Sequence, residues 1–270
     1  MRTLVFIPAW NEEASIAGVI GDVRRALPQA EVLVIDDGSA DATAARAREA
    51  GALVASLPFN QGLGAALQTG YLYAMREGHD FCAHLDADGQ HPADEVARLL
   101  EEVFADRADL VIGSRYFAGG EGQGEGAPGS DEYKPTISRR IGTSVFRFFL
   151  TLATRQRFTD TTSGMRAANR RVMALFSEHY SPDFAEIESL QLAVRQGLRV
   201  EEVPVRMLQR ADGSSFLTPL RSAFFIFKGM IVLLVGQFRP RPPESGEGPG
   251  QVPPEPGDAG PIGKRVEAER

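Results

Sequence analysis

This chain of 270 residues has one cysteine, one tryptophan and four histidines, and these low counts exclude several classes of protein. With Cys82 alone, no disulfide can form within the chain, and its place in an apolar run predicts a buried, unreactive thiol. The histidines lack the spacing of a zinc site. Lysines and arginines number 29 against 36 aspartates and glutamates, which gives a formal charge of -7. Nucleic acid, whose binding needs positive charge to neutralise phosphates, is therefore not an expected partner.

The sequence also lacks a long apolar run near its start. Residues 1–3 lead directly into the apolar residues 4–7, which are too few for the core of a signal peptide and are followed by Pro8. We therefore expect the catalytic part of the protein to be cytoplasmic.

Short apolar runs alternate with longer segments of helical period along the first part of the chain. The predicted strands are residues 4–7, 32–35, 53–56, the run before Asp86 and 110–112, and the predicted helices are about residues 12–27, 42–50, 64–76 and 93–104. This alternation is typical of an α/β fold with a mainly parallel central sheet and helices on both faces. The length and the 43% hydrophobic content suffice for one large core with an appendage.

Two carboxylates, Asp86 and Asp88, follow a predicted buried strand that begins at Phe81, and Gln90 could supply a third oxygen. Mg2+ and Mn2+ prefer oxygen ligands, and Mg2+ commonly lies between one or two carboxylates and the phosphates of a substrate. The triplet thus predicts a divalent cation and phosphate chemistry. A solvated acidic turn is the alternative.

A second acidic pair, Asp36 and Asp37, closes another predicted strand. Ligands of open parallel α/β sheets bind outside the carboxyl ends of the strands, so both acidic loops can meet in one crevice. The alternative is that one of these acids caps the helix that begins near Asp41.

Residues 134–157 alternate basic and aromatic side chains, although the protein as a whole is acidic. The apolar members are Phe146, Phe148, Phe149, Leu150 and Leu152, and the basic members are Arg139, Arg140, Arg147, Arg155 and Arg157. Each such cation near an anionic bilayer contributes about 1 kcal/mol, and aromatic rings favour the headgroup level. The pattern predicts peripheral membrane contact, or alternatively an amphipathic helix packed on the sheet with a solvated basic face.

The remaining segments divide the chain into a catalytic domain at residues 1–216, an apolar helix at 217–238 and a tail at 239–270. Lys228 interrupts the apolar segment, and a lysine near the centre of a spanning helix costs roughly 3 kcal/mol, which favours a helix lying in the membrane interface over one that crosses it. The tail is rich in Pro, Gly and Glu, so we expect disorder. The glycine-rich run 119–130 is expected to be a mobile loop or lid.

Seven motifs in order along about 200 residues carry a family resemblance. They are Ile7-Pro8-Ala9-Trp10-Asn11-Glu12-Glu13, Val34-Ile35-Asp36-Asp37-Gly38-Ser39, Asn60-Gln61-Gly62-Leu63-Gly64, Asp86-Ala87-Asp88-Gly89-Gln90-His91-Pro92, Gly113-Ser114-Arg115-Tyr116, Asp160-Thr161-Thr162-Ser163-Gly164-Met165-Arg166 and Glu202-Val203-Pro204-Val205. The chain resembles family 2 glycosyltransferases with the GT-A fold, and among them the polyprenyl-phosphate sugar transferases similar to dolichyl-phosphate mannose synthase.

The resemblance implies that one sugar is transferred with inversion from a nucleotide-sugar, a UDP- or GDP-sugar, to a lipid phosphate at the cytoplasmic face of the membrane. It implies Mg2+ or Mn2+ on Asp86, Asp88 and Gln90. It places the donor near Pro8, Trp10, Glu12, Asp37, Asp86, Ala87, Asp88, Arg115 and Arg210. Arg115 is the candidate phosphate contact, with a surface ion pair as the alternative, and Arg210 either binds phosphate or anchors its loop.

The resemblance also suggests Asp160 as the base that an inverting transfer requires on the acceptor side. A phosphate acceptor that is already ionised would barely need one. Asp160 could instead cap the turn at Ser163-Gly164, and Glu186 and Glu188, at a predicted helix start, are rival bases or merely favour the helix dipole.

The sequence departs from the family pattern at several positions. Trp10 stands where relatives usually carry Tyr, and Phe216 replaces a lysine that would hold a phosphate. The missing cation keeps a soluble acceptor open as an alternative, alongside a nucleotidyltransferase and a non-catalytic membrane adaptor. The Gln-x-x-Arg-Trp motif of processive synthases is absent, because Gln209-Arg210 is followed by Ala211-Asp212. His91 could contact the donor phosphate or cap the helix after Pro92.

Overall fold

The structure, a computed structural model, describes residues 1–116, 137–182, 184–208, 219–236 and 238, and it describes side chains for all of these except 137–143 and 219–227. The predicted glycine-rich loop, the predicted disordered tail and the motif with Arg210 and Phe216 lie outside the described residues. The division into segments at 217 and 239 therefore stays a prediction.

The described residues form seven strands and eight helices. The strands are β1 (Thr3–Ala9), β2 (Glu31–Asp36), β3 (Leu53–Ser56), β4 (Phe81–His84), β5 (Leu110–Ser114), β6 (Arg166–Asn169) and β7 (Val200–Pro204). The helices are α1 (Ile16–Ala26), α2 (Thr43–Glu49), α3 (Leu63–Arg76), α4 (Ala93–Phe104), α5 (Ile137–Thr154), α6 (Arg170–Glu178), α7 (Ala185–Arg195) and α8 (Pro219–Gly236). The predicted alternation is confirmed from β1 to β5, except that α1 begins later than expected.

The late start of α1 has a local cause. Residues 12–15 form a turn, in which the N–H groups of Ser15 and Ile16 both bond to the carbonyl of Glu12. The N–H of Glu12 bonds instead to the hydroxyl of Thr43, at 2.8 Å. The first residues of the expected helix thus form a separate turn, which is bonded to the first residue of α2.

The strands form one sheet in the order β3-β2-β1-β4-β6-β5-β7. Every pairing is parallel except those of β6, which runs antiparallel to both β4 and β5. The mainly parallel sheet predicted from the sequence is confirmed.

Both faces of the sheet are buried, which explains why its central strands are continuous apolar runs. In β1, Leu4 and Phe6 belong to the core on the side of α3, α6 and α7, whereas Val5 and Ile7 belong to the core on the side of α1 and α4. Cys82 is buried in the first core, and burial raises the pKa of its thiol. The prediction that the cysteine is buried is confirmed.

Helices α5 and α8 pack on the outside of the first core. Phe146 and Leu150 of α5 are buried, and the side chain of Gln191 in α7 donates to the carbonyl of Leu233 in α8 at 3.0 Å. The predicted packing of α5 as an amphipathic helix is therefore correct for this face. No helix in the described part of the chain is both long and apolar enough to cross a membrane.

Candidate active site

The carboxyl edge, the sheet edge where the parallel strands end, gathers most of the predicted site residues. Loops that follow β1, β2, β4 and β5 leave the sheet there and carry Trp10, Asp37, Asp86 and Arg115. Because β6 is antiparallel, it begins at this edge and brings the segment 160–165 to the same place. Ligands of such sheets bind at this edge.

The loops after β1 and β2 are bonded to each other. The N–H of Asn11 donates to the hydroxyl of Ser39 at 2.9 Å, and the N–H of Ala40 donates to the Asn11 side chain at 2.8 Å. Asn11 adopts the left-handed conformation, with φ of 54°, which asparagine tolerates better than most residues. These bonds fix Glu12, half-buried, against the second loop.

Asp37 is buried, and each of its carboxylate oxygens accepts a backbone N–H. The donors are Gln61, at 2.7 Å, and Gly62, at 2.8 Å. Asp37 thereby ties the loop after β2 to the start of α3. Pro8 is buried in β1, while Trp10, just beyond it, is 55% exposed and presents a flat surface at the carboxyl edge.

Neither Asp36 nor Asp37 caps α2. The N–H of Thr43, the first residue of that helix, bonds to the side chain of Asp41 at 3.0 Å, and Asp36 accepts the N–H of Ser39 at 3.1 Å. The alternative that this pair serves only as a helix cap is wrong.

Residues 86–91, named the metal loop here for the cation that the sequence predicts, are closed by two hydrogen bonds of their own. The N–H of Asp86 donates to Nδ1 of His91 at 3.1 Å, and the N–H of Gln90 donates to the Asp88 carboxylate at 3.0 Å. Asp88 and Gln90 are half-buried, and the side chain of Asp86 is 39% exposed. Both predicted acidic ligands are thus partly exposed at the carboxyl edge, whereas Ala87 between them is buried.

Gly164 lies directly against the Asp86 carboxylate. A Cβ atom added to Gly164 would lie 2.5 Å and 2.6 Å from the two carboxylate oxygens, closer than real Cβ contacts come. Glycine is therefore required here to leave room for Asp86. Sequence reasoning gave Gly164 no such role, and the signal was the Ser163-Gly164 pair inside a recognised motif.

The side chains of the metal loop fit a hard divalent cation. Two carboxylates and an amide oxygen are the ligands that Mg2+ and Mn2+ prefer. Among the described residues, no arginine or lysine lies within ion-pair distance of Asp86. No group of three or more His, Cys, Asp or Glu side chains in the described part of the chain is arranged to hold a metal. The phosphates of a substrate are the usual further ligands of Mg2+ at such a site.

Arg115 and Asp160 form a buried, two-point ion pair. The guanidinium donates from Nε at 2.6 Å and from Nη2 at 2.7 Å to the two carboxylate oxygens. Nη2 also donates to the hydroxyl of Thr162 at 2.9 Å. Asp160 is 0% exposed. Arg115 thus forms an ion pair, as the alternative suggested, but the pair is buried rather than at the surface. A phosphate contact of Arg115 stays a prediction.

Glu202 holds the backbone on the other side of this ion pair. Its carboxylate accepts the N–H groups of Thr159, at 2.7 Å, and Asp160, at 2.8 Å. Burial raises the pKa of Glu202. The residue belonged to a recognised motif at β7, but nothing in the sequence indicated that it positions Asp160.

The two rival carboxylates lie in the first turn of α7, as predicted. Burial raises the pKa of Glu186, the buried Arg166 opposes that rise, and the Asp86 carboxylate adds to it. Glu186 thus shares the electrostatic environment of the metal loop. The Glu188 carboxylate accepts the hydroxyl of Ser181.

The chain that leaves β7 runs along the metal loop. Arg206 donates to the buried carboxylate of Glu95 at 2.7 Å and also pairs with Asp94. The N–H of Leu208 donates to the carbonyl of Gln90 at 2.9 Å. Arg210, predicted near the donor, follows two residues later, outside the described part of the chain.

Comparison with known proteins identifies relatives over most of the chain. Residues 4–176 match the family model described as glycosyl transferase family 2. Polyprenol monophosphomannose synthase of Mycolicibacterium smegmatis is 34% identical over 238 residues, which cover 83% of this chain and 84% of that protein. Undecaprenyl-phosphate mannosyltransferase of Micrococcus luteus is 32% identical over 226 residues, which cover 80% of this chain and 87% of that protein.

A solved structure has a fold similar to that of this chain. It is glucosyl-3-phosphoglycerate synthase from Mycobacterium tuberculosis in complex with Mn2+, uridine diphosphate and phosphoglyceric acid. The TM-score is 0.62 at 23% identity, over 87% of this chain and 78% of that chain. The predicted GT-A fold is confirmed.

Replacing Gly164 with alanine should weaken binding of Mn2+ together with UDP, because the new methyl group displaces the Asp86 carboxylate. We expect at least the roughly 10–100-fold loss typical of residues that orient metal ligands, measured by calorimetry, with a melting temperature close to that of the unmodified chain. Gly18→Ala is the control: a Cβ at Gly18 meets nothing within 4 Å, so binding should not change. Equal affinities for both variants would contradict the packing of Gly164 on Asp86.

Proposed function

Because the chain belongs to glycosyl transferase family 2, we propose that it transfers one sugar, with inversion, from a UDP- or GDP-sugar to a polyprenyl phosphate. The relatives named for polyprenol and undecaprenyl phosphate, at 34% and 32% identity, support a lipid acceptor over a soluble one. The observation that carries the proposal is the arrangement at the carboxyl edge, where the acids of the metal loop lie beside the segment that holds Arg115. A nucleotidyltransferase is no longer an alternative, since the family is one of glycosyltransferases.

The donor nucleotide is proposed to lie over the loops after β1 and β2. Trp10 offers an exposed ring on which a base can stack. Pro8 lies two residues before Trp10 in β1, and hydrogen bonds hold Glu12 to Thr43 and Asp37 to the start of α3. The base therefore meets a surface that is rigid before it binds, which lowers the entropy cost of binding.

The diphosphate is proposed to lie at the metal loop. Asp86, Asp88 and Gln90 would hold Mg2+ or Mn2+, which, when bound, neutralises the charge that develops on the diphosphate as the sugar leaves. Arg115 is the nearby cation that would bind the same phosphates. Its two bonds to Asp160 fix its orientation before substrate arrives.

The base role predicted for Asp160 requires Arg115 to release it. With both oxygens bonded to Arg115 and no exposed surface, the carboxylate is not accessible to an acceptor in this arrangement. We propose that Asp160 acts mainly by holding Arg115. Glu186 and Glu188, both half-buried in the first turn of α7, remain the rival carboxylates for the base role; an ionised phosphate acceptor barely needs one.

The acceptor is proposed to reach the site from a membrane at the cytoplasmic face. The outer surface of α5 and α8 exposes large apolar side chains, Phe148, Leu152, Ile231, Leu234 and Val235. Arg155 and Arg157 are exposed just beyond the end of α5. Apolar side chains bordered by cations suit the interface of an anionic bilayer.

This surface is connected to the candidate site. Arg147 of α5 donates from Nε to the carbonyl of Phe158 at 3.0 Å, two residues before Asp160. A lipid phosphate that docks against α5 would therefore arrive near the Arg115–Asp160 pair, and the contact supports a membrane-presented acceptor.

Calorimetric titration of the whole chain with UDP-glucose, UDP-N-acetylglucosamine, UDP-galactose and GDP-mannose tests the proposed function. We expect donors of one nucleotide to bind with Mn2+ and to dissociate when EDTA is added. Asp88→Ala should abolish that binding because the diphosphate charge is left uncompensated, whereas Asp22→Ala, at an exposed ion pair of α1, should leave it unchanged. Failure of every donor to bind would contradict the proposal and support the non-catalytic adaptor.

A double-variant cycle distinguishes the two roles of Asp160. If Asp160 acts by holding Arg115, Asp160→Asn and Arg115→Met should each lower kcat/KM by about 10²–10³-fold, and the double variant should be no worse than the more damaged single variant. Glu186→Gln is measured in parallel. Effects of Asp160→Asn and Arg115→Met that multiply, with donor affinity unchanged in Asp160→Asn, would assign the base role to Asp160.

Sedimentation with phospholipid vesicles tests the membrane surface. The pair Phe148→Ser and Leu152→Ser should lower binding of the whole chain to vesicles containing phosphatidylglycerol by about tenfold or more, because each large apolar side chain contributes about 1.5–3 kcal/mol when buried. Phe59→Ser is a matched control, since Phe59 and Phe148 are both 65% exposed. Equal sedimentation of all variants would show that the outer surface of α5 and α8 does not bind the membrane.

A further inference from the structure

His91 is buried in the metal loop, and it does not have either role that the sequence suggested. Its side chain is 1% exposed, so the ring does not face a donor at the carboxyl edge. Helix α4 has Pro92 at its N-cap and no side-chain hydrogen bond there. The helix-capping hypothesis is therefore wrong, and the burial of the imidazole needs another explanation.

The hydrogen bond of His91 identifies which ring nitrogen is the acceptor. Nδ1 accepts the N–H of Asp86 at 3.1 Å, so in this arrangement Nδ1 carries no proton and the neutral ring has its proton on Nε2. Nε2 is buried and has no hydrogen-bond partner among the described residues. The Asp86 carboxylate oxygen Oδ2 also lies 3.6 Å from Nδ1, which is longer than a hydrogen bond. The bond from the Asp86 amide to Nδ1 is therefore the hydrogen bond of this ring among the described residues.

The bond from His91 is to Asp86, and the carboxylate of Asp86 also lies against Gly164. Gly164 allows the Asp86 carboxylate to lie against the backbone of the segment before β6, while His91 fixes the Asp86 amide. Together the two contacts define where the carboxylate oxygens lie. Groups that orient a metal ligand in this way usually change metal affinity by about 10–100-fold when they are lost.

We propose that His91 is a positioning residue, which sets the Asp86 carboxylate for a divalent cation through Nδ1 and the Asp86 amide. The proposal rests on the proposed function, because it concerns the cation that Asp86 would bind. It assigns no contact between His91 and the donor or the cation.

Two amide substitutions separate the two ring nitrogens. The side-chain oxygen of asparagine lies as many bonds from Cβ as Nδ1 does and can accept the Asp86 N–H. The amide group of glutamine reaches one bond further, to about the place of Nε2. His91→Asn should therefore keep Mn2+-dependent UDP affinity within about threefold, whereas His91→Gln and His91→Ala should lose about 10–100-fold.

The KM for Mn2+ and kcat provide a second readout. A positioning role predicts that His91→Gln and His91→Ala raise the KM for Mn2+ more than they lower kcat. In His91→Asn the KM for Mn2+ should stay close to that of the unmodified chain. If His91→Gln retains Mn2+-dependent UDP affinity and His91→Asn loses it, the ring acts through Nε2 and the proposal is overturned. Unchanged affinity in His91→Ala would overturn it as well.

NMR of the metal-free protein tests the bond without reference to activity. The nitrogen shift of His91 Nδ1 at neutral pH should be that of an unprotonated ring nitrogen, and the Asp86 amide should exchange slowly with solvent in the unmodified chain and in His91→Asn, but quickly in His91→Ala. Fast exchange in the unmodified chain would refute the proposal.

The same measurements keep this proposal separate from the proposed function. If the unmodified chain binds no donor with Mn2+, the function fails while the NMR result still reports on the bond between His91 and Asp86. If donors bind normally and the three His91 variants bind equally well, the function stands and the positioning role is refuted. Melting temperatures identify any variant that loses affinity by unfolding.

Discussion

The antiparallel pairing of β6 with β4 is the constraint on which the candidate site depends. In this pairing His84, the last residue of β4, lies opposite Arg166, the first residue of β6. Residues that follow β4 therefore meet residues that precede β6, which places Gly164 on the Asp86 carboxylate. A parallel strand in the same position would begin at the opposite edge and would carry the motif with Asp160 away from the metal loop.

Buried charges around Asp160 account for the rigidity of the site. Glu202 holds the backbone of Thr159 and Asp160, and Asp160 in turn holds Arg115 by two charge-assisted bonds. Burial of an ion pair is costly unless its geometry is good, and removal of one partner leaves an uncompensated charge. This chain of contacts fixes the orientation of the Arg115 guanidinium, which suits the phosphate contact that we propose for it.

Helix α5 connects this site to the proposed membrane surface. One of its faces is buried through Phe146 and Leu150, whereas Phe148 and Leu152 are exposed on the other. The two interpretations of residues 134–157, a packed amphipathic helix and a membrane contact, are compatible because they concern different faces. The bond from Arg147 to Phe158 then links the helix to the segment that holds Arg115.

The sequence by itself determined the α/β class and the edge at which the acids lie, because both depend on local order: runs buried on both faces are continuously apolar, and loops after parallel strands share one edge. Only the tertiary structure decided which residues the site side chains contact. Arg115 pairs with Asp160, 45 residues away, and Asp86 packs on Gly164. Both contacts form because β6 lies between β4 and β5 in the sheet. This strand has four residues, the first an arginine and the last an asparagine. No local pattern predicts that insertion, since a strand so short and polar is specified by the neighbours that bury it.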